Sequence, residues 1–209
     1  MLFDLHVHTA LSSCSRLTIP EILDNSATRG LDGVCITDHD TMGALELVAE
    51  GPQPGGLVVL VGLEYTTPEG DFLLFGPFES LAPGLGAREL LPLVRQRGGA
   101  AVAAHPCRLV RPMDPALLRQ GLVTIMEAEN GRNSALENSQ AQRLAHDFSP
   151  ARTGGSDAHR LAELGRIGTR FQAPIASRAD LVRELLAGRC RPEVIHPGLY
   201  TPLPARAAS

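Results

Sequence analysis

His6 and His8 stand two residues apart at the head of the chain, in Leu2-Phe3-Asp4-Leu5-His6-Val7-His8. Side chains alternate across an extended strand, so both imidazoles face the same side. Related residue types recur at Asp38-His39-Asp40, Glu64, His105, Glu127 and Asp157-Ala158-His159. Neutral imidazole combined with carboxylate oxygen suits zinc, manganese or iron, whereas an all-oxygen set suits magnesium or calcium. His6, His8, Glu64, His105, Asp157 and His159, with Asp38 and His39, are too many ligands for one ion. Two or three clustered divalent ions are therefore implied. Such sites serve hydrolytic displacement at phosphorus or carbon.

Taken alone, each stretch has an ordinary reading. Asp38-His39-Asp40-Thr41 would open a turn and cap a helix, and Ser156-Asp157-Ala158-His159 after two glycines would form a turn. Position separates the two readings, and it depends on the elements between. Residues 2–7 and 33–37 read as strands, joined by a helix over 19–29 that begins at the capping box Thr18-Ile19-Pro20-Glu21 and stops at Gly30. A second helix is expected near 44–50, then strands over 57–61 and 72–75, a helix over 87–97 and a strand over 100–104. A strand over 123–126, a helix over 135–146, strands over 151–155 and 167–171, and a helix over 178–187 stopped by Gly188 complete the pattern. Alternating strands and helices predict a parallel sheet, open or closed into a barrel. The Asp, Glu and His residues then fall at strand ends on one face, where sites of such folds form.

Composition narrows the function classes. No apolar run approaches the roughly 18 residues of a membrane span, and Asp4 and His6 interrupt what would be a leader segment. Cys14, Cys35, Cys107 and Cys190 show no disulfide-framework spacing, which favours a reducing cytoplasm. A net charge of −4, with eight aromatic residues and no tryptophan, argues against extended nucleic-acid binding. All nineteen basic residues are arginine. Residues 1–197 read as one domain and 198–209 as a Pro/Ala-rich tail.

The segments Asp4-Leu5-His6-Val7-His8-Thr9, Gly30 to Thr41, Gly62-Leu63-Glu64, His105-Pro106, Glu127 to Gly131 and Gly155-Ser156-Asp157-Ala158-His159 together resemble the PHP (polymerase and histidinol phosphatase) family of metal-dependent phosphoesterases. The resemblance implies a distorted (β/α)7 TIM-like barrel with its metal site at the C-terminal ends of the strands. It places His6, His8, Glu64 and Asp157 on one ion, has Glu64 bridge to a second ion also bound by His105, and gives His39 and His159 a third. Two departures stand out. Cys14 lies where some relatives carry histidine or aspartate, and is either a thiolate ligand or a bystander. No histidine lies between Glu64 and His105, leaving Asp71 as the nearest replacement by type and place.

The implied reaction is attack of a metal-bridging hydroxide on phosphorus. Asp157 would orient the nucleophile or take its proton, and His39 or His159 would protonate the leaving oxygen. Without lysine, phosphate contacts fall to arginine, with Arg16, Arg108 and Arg132 as candidates beside Asn130. A small phosphomonoester or nucleotide is the expected substrate. A Glu-bridged amidohydrolase-type C–N hydrolase and a non-catalytic metal-binding module are the alternatives. The amidohydrolase subtype that needs a carbamylated lysine is excluded, because the chain has none.

Overall fold

The computed structural model describes residues 1–195; the expected tail over 198–209 and the domain boundary at 197 lie outside them. β1 (Leu2–Val7) is buried at every residue, as a strand covered on both faces must be. α1 (Ile19–Ser26) starts at the expected capping box, in which Thr18 Oγ1 accepts the Glu21 N–H and the Glu21 carboxylate accepts the Thr18 N–H at 2.9 Å. A 3-10 turn over Ala27–Arg29 closes it at Gly30, whose φ of 80° is left-handed. β2 (Gly33–Ile36) then runs parallel to β1.

The helix expected near 44–50 is only a 3-10 turn, Gly43–Glu46. The chain has no room to continue it, because β3 (Gly51–Pro52) must already reverse against β4 (Val58–Val61). β5 (Leu63–Thr67) and β6 (Gly70–Phe75) form an antiparallel hairpin across Pro68-Glu69. Gly70, with φ 133°, takes a conformation that side-chain-bearing residues rarely adopt. There follow α2 (Ala87–Gln96), β7 (Ala100–Ala103), α3 (Ala116–Arg119), β8 (Ile125–Asn130), α4 (Ala135–Phe148), β9 (Ala151–Gly155), β10 (Ile167–Phe171), α5 (Arg178–Leu186) and β11 (Cys190–Val194).

The strands make two mixed sheets, ordered β11-β10-β1-β2-β4-β3 and β5-β6-β7-β8-β9. The molecule is thus α/β, and neither sheet closes on itself as the barrel implied by the resemblance would; the first sheet has parallel pairs at its centre and antiparallel flanks, whereas the second is antiparallel from β5 to β7 and parallel from β7 to β9. The sheets meet through two isolated parallel bridges, Val7 to Ala158 and His39 to Glu64. Main-chain bonds clamp these points: His8 N–H to Ala158 O at 2.9 Å, and Glu64 N–H to Asp38 O at 3.0 Å. Both bridges involve or adjoin the chemistry-bearing residues, so the seam between the sheets positions the site.

Two apolar clusters support this seam. One joins Val34, Ile36, Val59, Val61, Phe72 and Leu74 to the helices. The other takes the alternate residues Cys35, Leu60, Leu73 and Phe75 together with Phe3 and Phe171, as the two-residue period of a strand requires. Among the described residues no helix is long and apolar enough to cross a membrane.

Gly33 is fixed by this packing, since a Cβ there would lie 2.2 Å from the Phe3 ring. Gly33→Ala is expected to cost about 1–3 kcal/mol by overpacking, read as a lowered urea midpoint. An unchanged midpoint would show that the Phe3 ring is free to move.

Candidate metal centre

Each strand end delivers its residue to one buried cluster. His6 belongs to β1 and His8 follows it; His39 follows β2; Glu64 lies in β5; His105 follows β7; Asp157 and His159 follow β9. All are buried except His39, whose side chain is 38% exposed. His105 (φ 30°) and Asp157 (φ 55°) hold left-handed backbone, a strain that persists where surroundings over-determine it.

His6 Nε2 and His8 Nε2 lie 3.0 Å apart. Glu64 Oε2 stands 3.3 Å from the first and 3.2 Å from the second, and Asp157 Oδ1 stands 3.6 and 3.5 Å away. Glu64 turns its other oxygen to His105 Nε2 at 2.9 Å, while His39 Nδ1 approaches Glu64 Oε2 at 3.1 Å. The donor atoms form three groups able to hold an ion, each within 4.8 Å: His6, His8 and Asp157; His6, Glu64 and His105; and His8, His39 and His159.

A second set of residues aims these ligands. Glu127 accepts from His6 Nδ1 at 2.9 Å and from the His105 N–H at 2.8 Å. His6 Nδ1 is then the proton-bearing nitrogen and Nε2 presents its lone pair. Glu127 was visible in the sequence as a strand-end carboxylate, but its role as an orienter depends on a contact 121 residues away.

Asp38 belongs to none of the three ligand groups. One oxygen accepts the Thr9 N–H at 2.7 Å and the Ser12 hydroxyl at 2.6 Å, and the other accepts the Thr9 hydroxyl at 2.7 Å. Ser12 Oγ in turn meets His8 Nδ1 at 3.3 Å, so Asp38 steers His8 through Ser12. Asp71 is likewise engaged: Arg111 holds it bidentately, Nε to Oδ2 at 3.0 Å and Nη2 to Oδ1 at 2.6 Å. Arg111 has no counterpart among the residues expected from sequence. Cys14 is exposed and lines the cavity over the cluster without joining any ligand group.

That cavity, of about 450 Å3, is rimmed by Arg108, Arg111 and Arg132. Arg108 Nη2 donates to Asp157 Oδ2 at 2.6 Å and to Asn130 Oδ1 at 2.9 Å, turning Asp157 Oδ1 toward the imidazoles. Arg132 Nη1 meets His159 Nδ1 at 2.8 Å. Asn130 is buried and donates to Glu127 at 2.8 Å, which joins the arginine rim to the His6 orienter. Arg16 is exposed and does not line the cavity.

The electrostatics suit a cation. Burial opposes charge on His6, yet Asp157, Glu127 and Glu64 hold its pKa well above the ordinary value. Burial likewise opposes charge on Glu64 and Asp157, and the surrounding imidazoles, with Arg108 at Asp157, overcome it and hold both carboxyls below their usual range. His159 goes the other way, down to about 4, through burial and its neighbour His8. Lone pairs of two imidazoles and two carboxylates converge here, and His105 Nδ1 is buried with no hydrogen-bond partner among the described residues. Such a donor set is costly by itself and is satisfied by a shared positive ion. The residues fit divalent metal.

An α/β fold whose strand ends meet around a buried imidazole–carboxylate cluster belongs to the class of folds that could hold divalent metal at that point. Residues 4–127 match the PHP domain and residues 135–190 the PHP-associated region. The chain belongs to the PHP domain family. It is 30% identical over 113 residues to the uncharacterized protein MJ1587 of Methanocaldococcus jannaschii (49% of this chain, 66% of that one) and 28% identical over 179 residues to MJ0417 of the same organism (82% and 70%). It thus spans about two thirds of the length of these relatives. A shorter match, 36% over 64 residues, covers 31% of this chain and 24% of the phosphoribosyl 1,2-cyclic phosphate 1,2-diphosphodiesterase of Eggerthella lenta. Among solved structures, PsfC of Pseudomonas syringae superposes with a TM-score of 0.74 at 24% identity, covering 92% of this chain and 91% of that one. A two-domain Bacteroides vulgatus protein containing a predicted PHP-like metal-dependent phosphoesterase gives 0.68 at 19%, covering 93% and 65%.

Loss of the His6 orienter separates these roles. Glu127→Gln is expected to weaken metal affinity about 10–100-fold, while Asp38→Asn and Cys14→Ser keep the wild-type metal stoichiometry after loading with Mn or Zn. Elemental analysis of the dialysed proteins measures both. Wild-type affinity in Glu127→Gln, or loss of an ion from Asp38→Asn, would overturn the assignment.

Proposed function

We propose that this protein is a metal-dependent phosphoesterase that cleaves a small phosphomonoester or nucleotide-type phosphate, using two or three divalent ions of zinc, manganese or iron. One observation carries the reading: His6 Nε2 and His8 Nε2 lie 3.0 Å apart, and Glu64 Oε2 and Asp157 Oδ1 each stand within 3.6 Å of both, at the floor of a cavity rimmed by three arginines. His6, His8, Glu64 and Asp157 would hold one ion, His105 with Glu64 a second, and His39 with His159 a third. Bound metal supplies a nucleophile from water at neutral pH and neutralises charge on phosphoryl oxygens.

The chain's own residues do the rest. Arg111 and Arg132 line the cavity and would grip phosphate oxygens through the guanidinium N–H groups not already committed to Asp71 and His159. Arg108 acts differently, holding Asp157 in place so that Oδ1 faces the reacting centre and can take or orient a proton there. With two ions bound and the third position unmetallated, half-exposed His39 can exchange a proton between its imidazole and solvent and deliver it to the leaving oxygen. The arginine rim favours an anionic phosphate over the neutral amide of a C–N hydrolase. A cavity of about 450 Å3 with few aromatic residues suits a small molecule over a nucleic-acid strand. The working environment is taken to be the cytoplasm.

A hydrolysis screen of phosphomonoesters, cyclic and linear phosphodiesters, and amides after Mn or Zn loading tests the reading. Phosphomonoester cleavage is expected, with Asp157→Asn lowering kcat about 100-fold or more. Cleavage of amides alone would refute phosphoesterase function, and full activity in Asp157→Asn would remove that residue from the chemistry.

A further inference from the structure

A second cavity, of about 660 Å3, shares the Asn130–Asn133 turn with the metal centre. Its size is that of a small-molecule site. Among the described residues its walls include no acidic residue, and their only charged side chains are Arg29 and Arg166. Each guanidinium makes a single bond, to main-chain oxygen: Arg29 Nη1 to Leu164 O at 2.9 Å, and Arg166 Nε to Ala162 O at 3.1 Å. Among the described residues neither forms an ion pair. Glu163, the nearest acid in sequence, has its carboxylate committed to the His159 N–H at 2.9 Å.

Arg29 is also held in place. Its stem runs along Gly165, where a Cβ would stand 3.3 Å from Arg29 Cβ and where φ is 68°. Burial, and then the charge of Arg166, lower the proton affinity of Arg29. Two like charges lining one cavity repel each other, and an anion between them offsets that repulsion. A guanidinium carries five N–H donors, so each arginine keeps a free edge. Leu164 and Ile167 supply an apolar wall beside them.

We propose that this cavity binds a small dianionic phosphate ester, with Arg29 and Arg166 gripping the phosphate and Leu164 and Ile167 receiving its organic part. The charge of the pair matches a dianion, and phosphate matches the guanidinium fork geometrically. The proposal is independent of the catalytic reading of the metal centre. The cavity touches that centre through one wall: Asn133 Oδ1 accepts from Arg108 Nε at 3.0 Å, and Arg108 holds Asp157.

The test uses the full chain stripped of metal with EDTA and titrated with phenyl phosphate and with inorganic phosphate, by calorimetry. Phenyl phosphate is expected to bind saturably and more tightly than inorganic phosphate. Arg166→Gln, at an exposed position, should weaken phenyl phosphate binding at least fivefold, and the Arg29→Gln/Arg166→Gln pair should abolish it. Arg132→Gln at the metal centre should leave it unchanged. Absence of saturable binding, binding that survives the double substitution, or binding lost in Arg132→Gln would each overturn the proposal.

Discussion

Four donor atoms facing one another, His6 Nε2, His8 Nε2, Glu64 Oε2 and Asp157 Oδ1, set the terms for the rest of the structure. Lone pairs brought this close repel unless protons or a cation separate them, so the surrounding frame must be rigid enough to hold them without collapse. The frame is rigid because the cluster sits on main-chain bonds between two sheets. The bridges Val7–Ala158 and His39–Glu64 place ligands from both sheets within hydrogen-bond reach of each other. No single loop carries the site, and none can move without disturbing a ladder.

The layer behind the ligands has a consistent logic. Glu127 fixes His6, Ser12 with Asp38 fixes His8, and Arg108 with Asn130 fixes Asp157. Each ligand thereby has one polar atom committed outward and one left facing in. Asp4 extends the same design one step deeper: its carboxylate accepts from the Ser156 and Gly165 N–H groups at 2.9 and 3.0 Å, tying β1 to the loop that carries Asp157. Burial raises its pKa to about 6, and those main-chain donors are what make an acid tolerable there.

The parts legible in the sequence were those with local signals. The Thr18 capping box, the Gly30 stop and the buried central strands follow from short-range chemistry and appear where expected. The β5–β6 hairpin escaped notice although Thr67-Pro68-Glu69-Gly70 is turn chemistry, because Glu64 read as a strand end and not as part of a strand. β11, with Arg191, Pro192 and Glu193, lacks the apolar alternation that marks a strand, as suits a sheet edge. At the site, rare residue types at strand ends identified which side chains converge. Spacing does not tell which carboxylates already have partners: Asp38 is engaged by Thr9 and Ser12, and Asp71 by Arg111. Those partners are 26 to 40 residues distant.

The rim of Arg108, Arg111 and Arg132 has a further consequence, because the chain contains no lysine. A guanidinium stays protonated to beyond about pH 12, so the positive wall of the cavity keeps its full charge at every pH the fold survives. Any variation of ligand affinity with pH must then originate in the imidazoles, the carboxylates, the Cys14 thiol or the ligand itself. The same composition leaves the lining of the cavity without a primary amine. Amine-directed acylating reagents and cross-linkers therefore find no lysine to attack around the cavity, and its positive charge is proof against the modifications that commonly silence lysine-built anion sites.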